Sequence, residues 1–142
     1  GWGVGQFIGS AEAAEGAVVV DWEPFTESVI ADHRAEGRAV FVDFTAAWCI
    51  TCQVNKRVAL TDNRVKQAFL DRGIALVQAD WTRRDDMIAR ELEALGRNSV
   101  PVYALYPADP SAPPQLLPNV LTPGIVIGAL EGIALTSTST QD

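Results

Sequence analysis

The chain predicts an α/β fold: a mixed central sheet of four to five strands with helices on both faces. Three observations carry that prediction. Strand-length apolar runs alternate with segments of helical period along most of the sequence. Two of those runs are hydrophobic almost throughout, as strands buried on both faces are. The last two strand candidates are separated only by a loop, which is most easily closed as an antiparallel hairpin. A length of 142 residues with 48% hydrophobic content fits one domain with a real core.

Residues 1–16, rich in Gly and Ala without a period, read as a linker or loosely docked arm. The domain itself is expected over residues 17–134. "AVVVDW" (residues 17–22) is a short β-branched run suited to an edge strand. "PFTESVIADHRAEG" follows, with Phe25, Val29, Ile30 and His33 on one helical face and Gly37 as its stop. "AVFVDFT" (residues 39–45) has the nearly continuous apolar character of a buried central strand.

After that strand come both cysteines, Cys49 and Cys52, and then a segment that reads as helical through Val54 and Val58. Asp62 can cap a further helical stretch with Val65 and Phe69 inward and Gly73 at its end. "IALVQAD" (residues 74–80) is a second buried strand. "RRDDMIARELEALG" places Ile88, Leu92 and Leu95 on one face and closes at Gly96. "PVYALYP" (residues 101–107) is a third strand, and the Pro-rich "ADPSAPP" leads to a short one, "QLLP". "TPGIVIGALEGI" starts a last helix with Thr122 as cap, Pro123 in the first helical position and a stripe of Val126, Leu130 and Ile133. The tail over residues 135–142 is expected to be disordered.

Composition narrows the function. A net charge of −7 and pI near 4.6 disfavour nucleic acid, whose phosphates an acidic surface repels. The same charge also serves simply to keep a domain soluble. No stretch approaches the roughly 18 apolar residues of a membrane span. The longest candidate, residues 124–135, is shorter and carries Glu131. The first residues lack the basic start of a signal peptide, and Glu12 and Glu15 interrupt their apolar character. The expectation is a mature or excised soluble module.

Two thiols three residues apart have several possible uses. Structural zinc needs about four ligands. The chain offers two cysteines and one histidine, His33, which falls at the end of a helix's apolar stripe where a packing role is expected. Covalent haem attachment needs His directly after the second cysteine, and Gln53 stands there. A purely structural disulfide closing so short a loop constrains the unfolded chain very little.

Redox exchange fits the placement. The pair lies between the carboxyl end of a central strand and the start of a helix, where open α/β sheets carry their sites. The helix N-terminus favours thiolate over thiol at Cys49, making it the attacking nucleophile. Cys52, one turn further in, would resolve the mixed disulfide. Asp43, six residues before Cys49 in an otherwise apolar strand, would have its pKa raised by desolvation and could carry protons for a thiol. It could instead point outward or toward a hydrogen-bonded cap. Pro101 opens the third strand, where a proline is usually excluded. A cis Val100–Pro101 bond turning the chain beside the sulfurs would account for it, as would a trans proline at a strand start. Trp48 could shield the disulfide and offer a partner surface, or be an ordinary packing residue.

Taken together, "VDFTAAWCITC", the helix after it and "SVPVY" resemble a thioredoxin-fold oxidoreductase over roughly residues 17–134. "AWCITCQVNK", "QADWT", "GRNSVP" and "LPNVLTP" resemble more narrowly the C-terminal periplasmic domain of DsbD/ScsB-type membrane thiol–disulfide reductases of Gram-negative bacteria. The resemblance implies a thioredoxin-like fold and protein-disulfide reductase activity. It implies electrons drawn from a transmembrane domain of the same polypeptide and passed to an N-terminal periplasmic domain or other periplasmic disulfide proteins. It matches Cys49 and Cys52 to the redox pair, Asp43 to the buried acid and Pro101 to the cis-proline beside the disulfide; Trp48, Val100 and Pro101 are the expected partner-binding residues. Residues 1–16 would be the tether from the last transmembrane helix. No metal or organic cofactor is required.

Two positions depart from the pattern. Some family members carry a Glu seven residues after the first cysteine; here it is Lys56, whose charge would favour thiolate if it approached the sulfurs. Thioredoxins proper often carry Lys at the position of Gln78. Two other readings remain: a free-standing oxidase or isomerase of the same fold, and a thiolate metal-binding module serving metal-stress defence.

Overall fold

The structure is a computed structural model and describes residues 17–135. The expected arm over residues 1–16, and the expected disordered tail beyond residue 135, lie outside the described residues. Five strands form one sheet: β1 (Trp22–Pro24), β2 (Val40–Thr45), β3 (Ala75–Asp80), β4 (Val102–Tyr106) and β5 (Gln115–Leu116). Their spatial order is β1-β3-β2-β4-β5. The parallel part is β1-β3-β2, with Asp43 paired to Gln78; β4 runs antiparallel to β2 and β5 antiparallel to β4. The reversal therefore comes one strand earlier than a simple closing hairpin suggests.

Among the described residues five α-helices accompany the sheet: α1 (Val29–Ala35), α2 (Ile50–Asn55), α3 (Asn63–Asp71), α4 (Asp86–Ala94) and α5 (Pro123–Leu130). A π-helical segment, Lys56–Leu60, continues α2, with Thr61 N–H bonded five residues back to the Lys56 carbonyl at 3.0 Å. Gly37, Gly73 and Gly96 end their helices at positive φ, where a residue with Cβ is strained. Asp62 caps α3 by accepting from the Arg64 and Val65 N–H groups, and Thr122 caps α5 through Ile125 N–H.

Strand alternation divides the core between the two faces of the sheet. Phe41, Leu76, Tyr103 and Leu105 meet Ala59, Leu60, Val65, Phe69, Val126 and Leu130 on one face. Val40, Val42, Phe44, Val77 and Ala104 meet Val29, Ile88 and Leu92 on the other. Every residue of β2 is buried, Asp43 and Thr45 included, as its nearly continuous apolar run leads one to expect for the rest. One local expectation changes. Strand β1 begins at Trp22 rather than at residue 17, because only Trp22, Glu23 and Pro24 reach register with β3. Val54 and Val58 are exposed, since Cys52, Asn55, Ala59 and Leu60 are the inward side of the helix that carries them.

Candidate active site

β2 ends at Thr45, the chain turns through Ala46–Trp48, and Cys49 takes the N-cap position of α2 with extended backbone. Its Sγ accepts the Cys52 N–H at 3.1 Å, so the sulfur occupies the place an N-cap oxygen ordinarily takes. That position is electropositive, and a negative sulfur is stabilised there. Cys49 and Cys52 are joined by a disulfide, with Cα atoms 5.3 Å apart. Cys49 is 7% exposed and Cys52 2%, so the first sulfur is the more accessible of two sheltered ones.

The Val100–Pro101 bond is cis, the first of the two readings open to it, and Val100 packs against the cluster of Ala46, Cys49 and Cys52. Trp48, 43% exposed, stands beside the pair, and Ile50 on the next turn is 79% exposed. The Trp48 indole donates to the Thr82 carbonyl at 3.0 Å, and the Ala47 N–H donates to Thr82 Oγ1 at 2.9 Å. Asp80 holds Thr82 in turn through the Thr82 N–H and hydroxyl. Arg84, at φ +53°, lays its guanidinium over both the Trp48 and Trp81 rings. The loop after β3 thus braces the loop that carries the cysteines. Neither Thr82 nor Arg84 stands out in the sequence; "QADWT" was the only local signal.

Asp43 is 3% exposed and lies on the same face of β2 as Phe41, in register with Tyr103 on β4 and Gln78 on β3. Burial pushes its carboxyl up to about 7, against the pull of the Lys56 ammonium. Its Oδ1 and the nearby Thr45 Oγ1 find no hydrogen-bond partner among the described residues. Asp43 therefore points inward, not to solvent or a cap. Lys56, in the π-helical segment that continues α2, lines the same cavity as Asp43.

Asn55, three residues after Cys52, is a further buried polar group that sequence reasoning missed. It donates to the Tyr103 hydroxyl and the Asn119 carbonyl and accepts the Leu121 N–H. The signal was a polar residue three positions after Cys52 on the same helix. His33, as expected, is partly buried, bonded to Glu23 and Arg38 far from the sulfurs in sequence. No group of three or more His, Cys, Asp or Glu side chains that could hold a metal ion occurs among the described residues. No helix there is long and apolar enough to cross a membrane.

Comparison with known proteins adds three findings. The sequence profile of the thioredoxin-like family matches residues 21–108. The thiol:disulfide interchange protein DsbD of Ralstonia nicotianae is 46% identical over 48 residues, which is 34% of this chain and 8% of that protein. DsbD of Salmonella paratyphi A is 32% identical over 85 residues, 58% of this chain and 14% of that protein. The chain thus matches only a small part of the length of these relatives. The C-terminal domain of Neisseria meningitidis DsbD in its oxidised form superposes with a TM-score of 0.58 at 23% identity, covering 76% of this chain and 89% of that one. That likeness speaks to the fold.

Proposed function

The chain belongs to the thioredoxin-like family, and from that premise we propose that it is a thiol–disulfide exchange domain of DsbD type. The observation that carries the proposal is the seat of the Cys49 sulfur: at a helix N-cap, bonded to Cys52, with Val100 packed against the pair. In the reduced chain the Cys49 thiolate attacks a partner disulfide. One partner sulfur leaves as thiolate and a Cys49–partner disulfide forms. Cys52 loses its proton to the Asp43 carboxylate and attacks Cys49 Sγ. The mixed disulfide breaks, the second partner sulfur departs with the electron pair, and the Cys49–Cys52 bond forms. The partner gains two electrons and the domain loses them.

Trp48, Val100 and Pro101 form the surface on which a partner strand would rest, with Trp48 the exposed aromatic beside the sulfurs. The match to only 8% and 14% of the length of two DsbD proteins supports a place in a longer protein of that type, which the resemblance makes a membrane protein. In that setting the domain is periplasmic, a transmembrane domain recharges it, and an N-terminal domain or other periplasmic disulfide proteins discharge it. Replacement of Cys52 by Ala tests the assignment of roles. Covalent complexes should accumulate through Cys49 alone, and their absence would contradict it.

A further inference from the structure

Lys56 and Asp43 line one cavity of about 330 Å³ under the helix that carries the cysteines, together with Trp22, Thr61, Lys66 and Gln78. Lys56 and Gln78 also line a second, smaller cavity with Thr45, Ala46, Gln53 and Asp80, on the side of the cysteine loop. Lys56 thus stands between the buried carboxyl and the loop that begins at the end of β2. Asp43 has an oxygen without a partner among the described residues, and Gln78, its neighbour on β3, brings no charge. From β4 the facing group is Tyr103, a neutral phenol that burial and the Asp43 charge keep protonated. Lys66 of α3 lines the same cavity, while Asp80 lies only on the second. Lys56 is the cation whose charge acts on Asp43.

We propose that Lys56 is a positioning residue for the exchange reaction, its ammonium holding Asp43 in the ionised form that takes the proton of Cys52. The inference rests on the exchange reading and adds to it a residue that acts only through Asp43. A buried carboxylate left alone prefers its proton and cannot accept another. A cation lining the same cavity, whose walls include neither cysteine, restores the base. Lys56 therefore widens toward neutral pH the range in which Cys52 can resolve a mixed disulfide.

The test uses the reduced full chain and the aromatic disulfide 5,5′-dithiobis(2-nitrobenzoate). Attack by Cys49 releases one thionitrobenzoate, and attack by Cys52 on the resulting mixed disulfide releases the second. The rate of the second release is followed against pH from the acid to the mildly alkaline range. Lys56→Met should move its midpoint upward by about half a unit or more, and Lys56→Arg should return it to the wild-type position. With Asp43→Asn in place, Lys56→Met should change nothing further. An unmoved midpoint in Lys56→Met, or a shift that persists with Asp43→Asn, overturns the role of Lys56 and leaves the exchange reading intact. A wild-type chain that releases only one equivalent overturns the exchange reading and this inference with it.

Discussion

Asn55 Nδ2 donates to the Tyr103 hydroxyl across 2.9 Å, tying the helix that carries the cysteines to the strand that follows Pro101. The same side chain holds the Asn119 carbonyl and the Leu121 N–H, so three separate segments meet at one buried amide. Asn55→Ala would leave those groups without partners in a closed interior. We expect a loss of at least about 2 kcal/mol in urea unfolding. Tyr103→Phe removes one bond and leaves Asn55 its others, so its cost should be nearer about 1 kcal/mol. Equal costs for the two variants would contradict this apportionment.

Arg84 makes a second brace, its Cζ 4.4 Å from the centre of the Trp48 ring, in a backbone conformation that a residue with Cβ adopts at a cost. Arg84→Ala should lose the cation–π contact and keep the strain, destabilising the chain by about 0.5 to 1 kcal/mol. Arg84→Gly loses the same contact but relieves the strain, and should come out more stable than the Ala variant. Denaturation midpoints of the two variants, compared side by side, check the order.

The raised pKa of Asp43 makes stability depend on pH in a definite direction. The folded chain keeps a proton on this carboxyl up to about 7, whereas the unfolded chain loses it near about 3.9. Stability from that proton is complete below the unfolded value and is lost as pH rises through the folded one. In the oxidised chain, where neither cysteine titrates, Asp43→Asn should flatten this fall and raise stability at about pH 8 by about 2 to 4 kcal/mol. Unfolding curves that stay parallel for the two proteins across this range would count against a buried, proton-bearing Asp43.

In the reduced chain Cys49 should be alkylated by iodoacetamide before Cys52, because its sulfur sits at the N-cap and is the more accessible of the two. Mass spectrometry of partially modified protein shows the order. Modification of Cys52 first would reverse the assignment of nucleophile and resolving thiol.

Features governed by near neighbours in the chain were legible in the sequence. Thr122 and Asp62 announce their caps because capping is decided within four residues. The run from Val40 to Thr45 announces a central strand because only burial on both faces tolerates it. Strand and helix order alone placed the cysteines after β2, but left open whether Asp43 points inward and whether the Val100–Pro101 bond is cis. Strand direction was not legible: the apolar pattern of Val102–Tyr106 is the same whether it runs parallel or antiparallel to β2. Residues that act across long sequence separations were hidden too. Asn55 meets Leu121, Trp48 meets Thr82, and Lys56 shares a cavity with Asp43 only once the helix is laid over the sheet.

Equilibrating the chain with a graded dithiol–disulfide buffer, and counting free thiols at each step, tests the central claim most directly. The account predicts one reversible two-electron transition of the Cys49–Cys52 pair, at a potential well to the reducing side of the roughly −120 mV of a dedicated oxidant. A pair that stays oxidised throughout, or a potential at the oxidant's value, would contradict it.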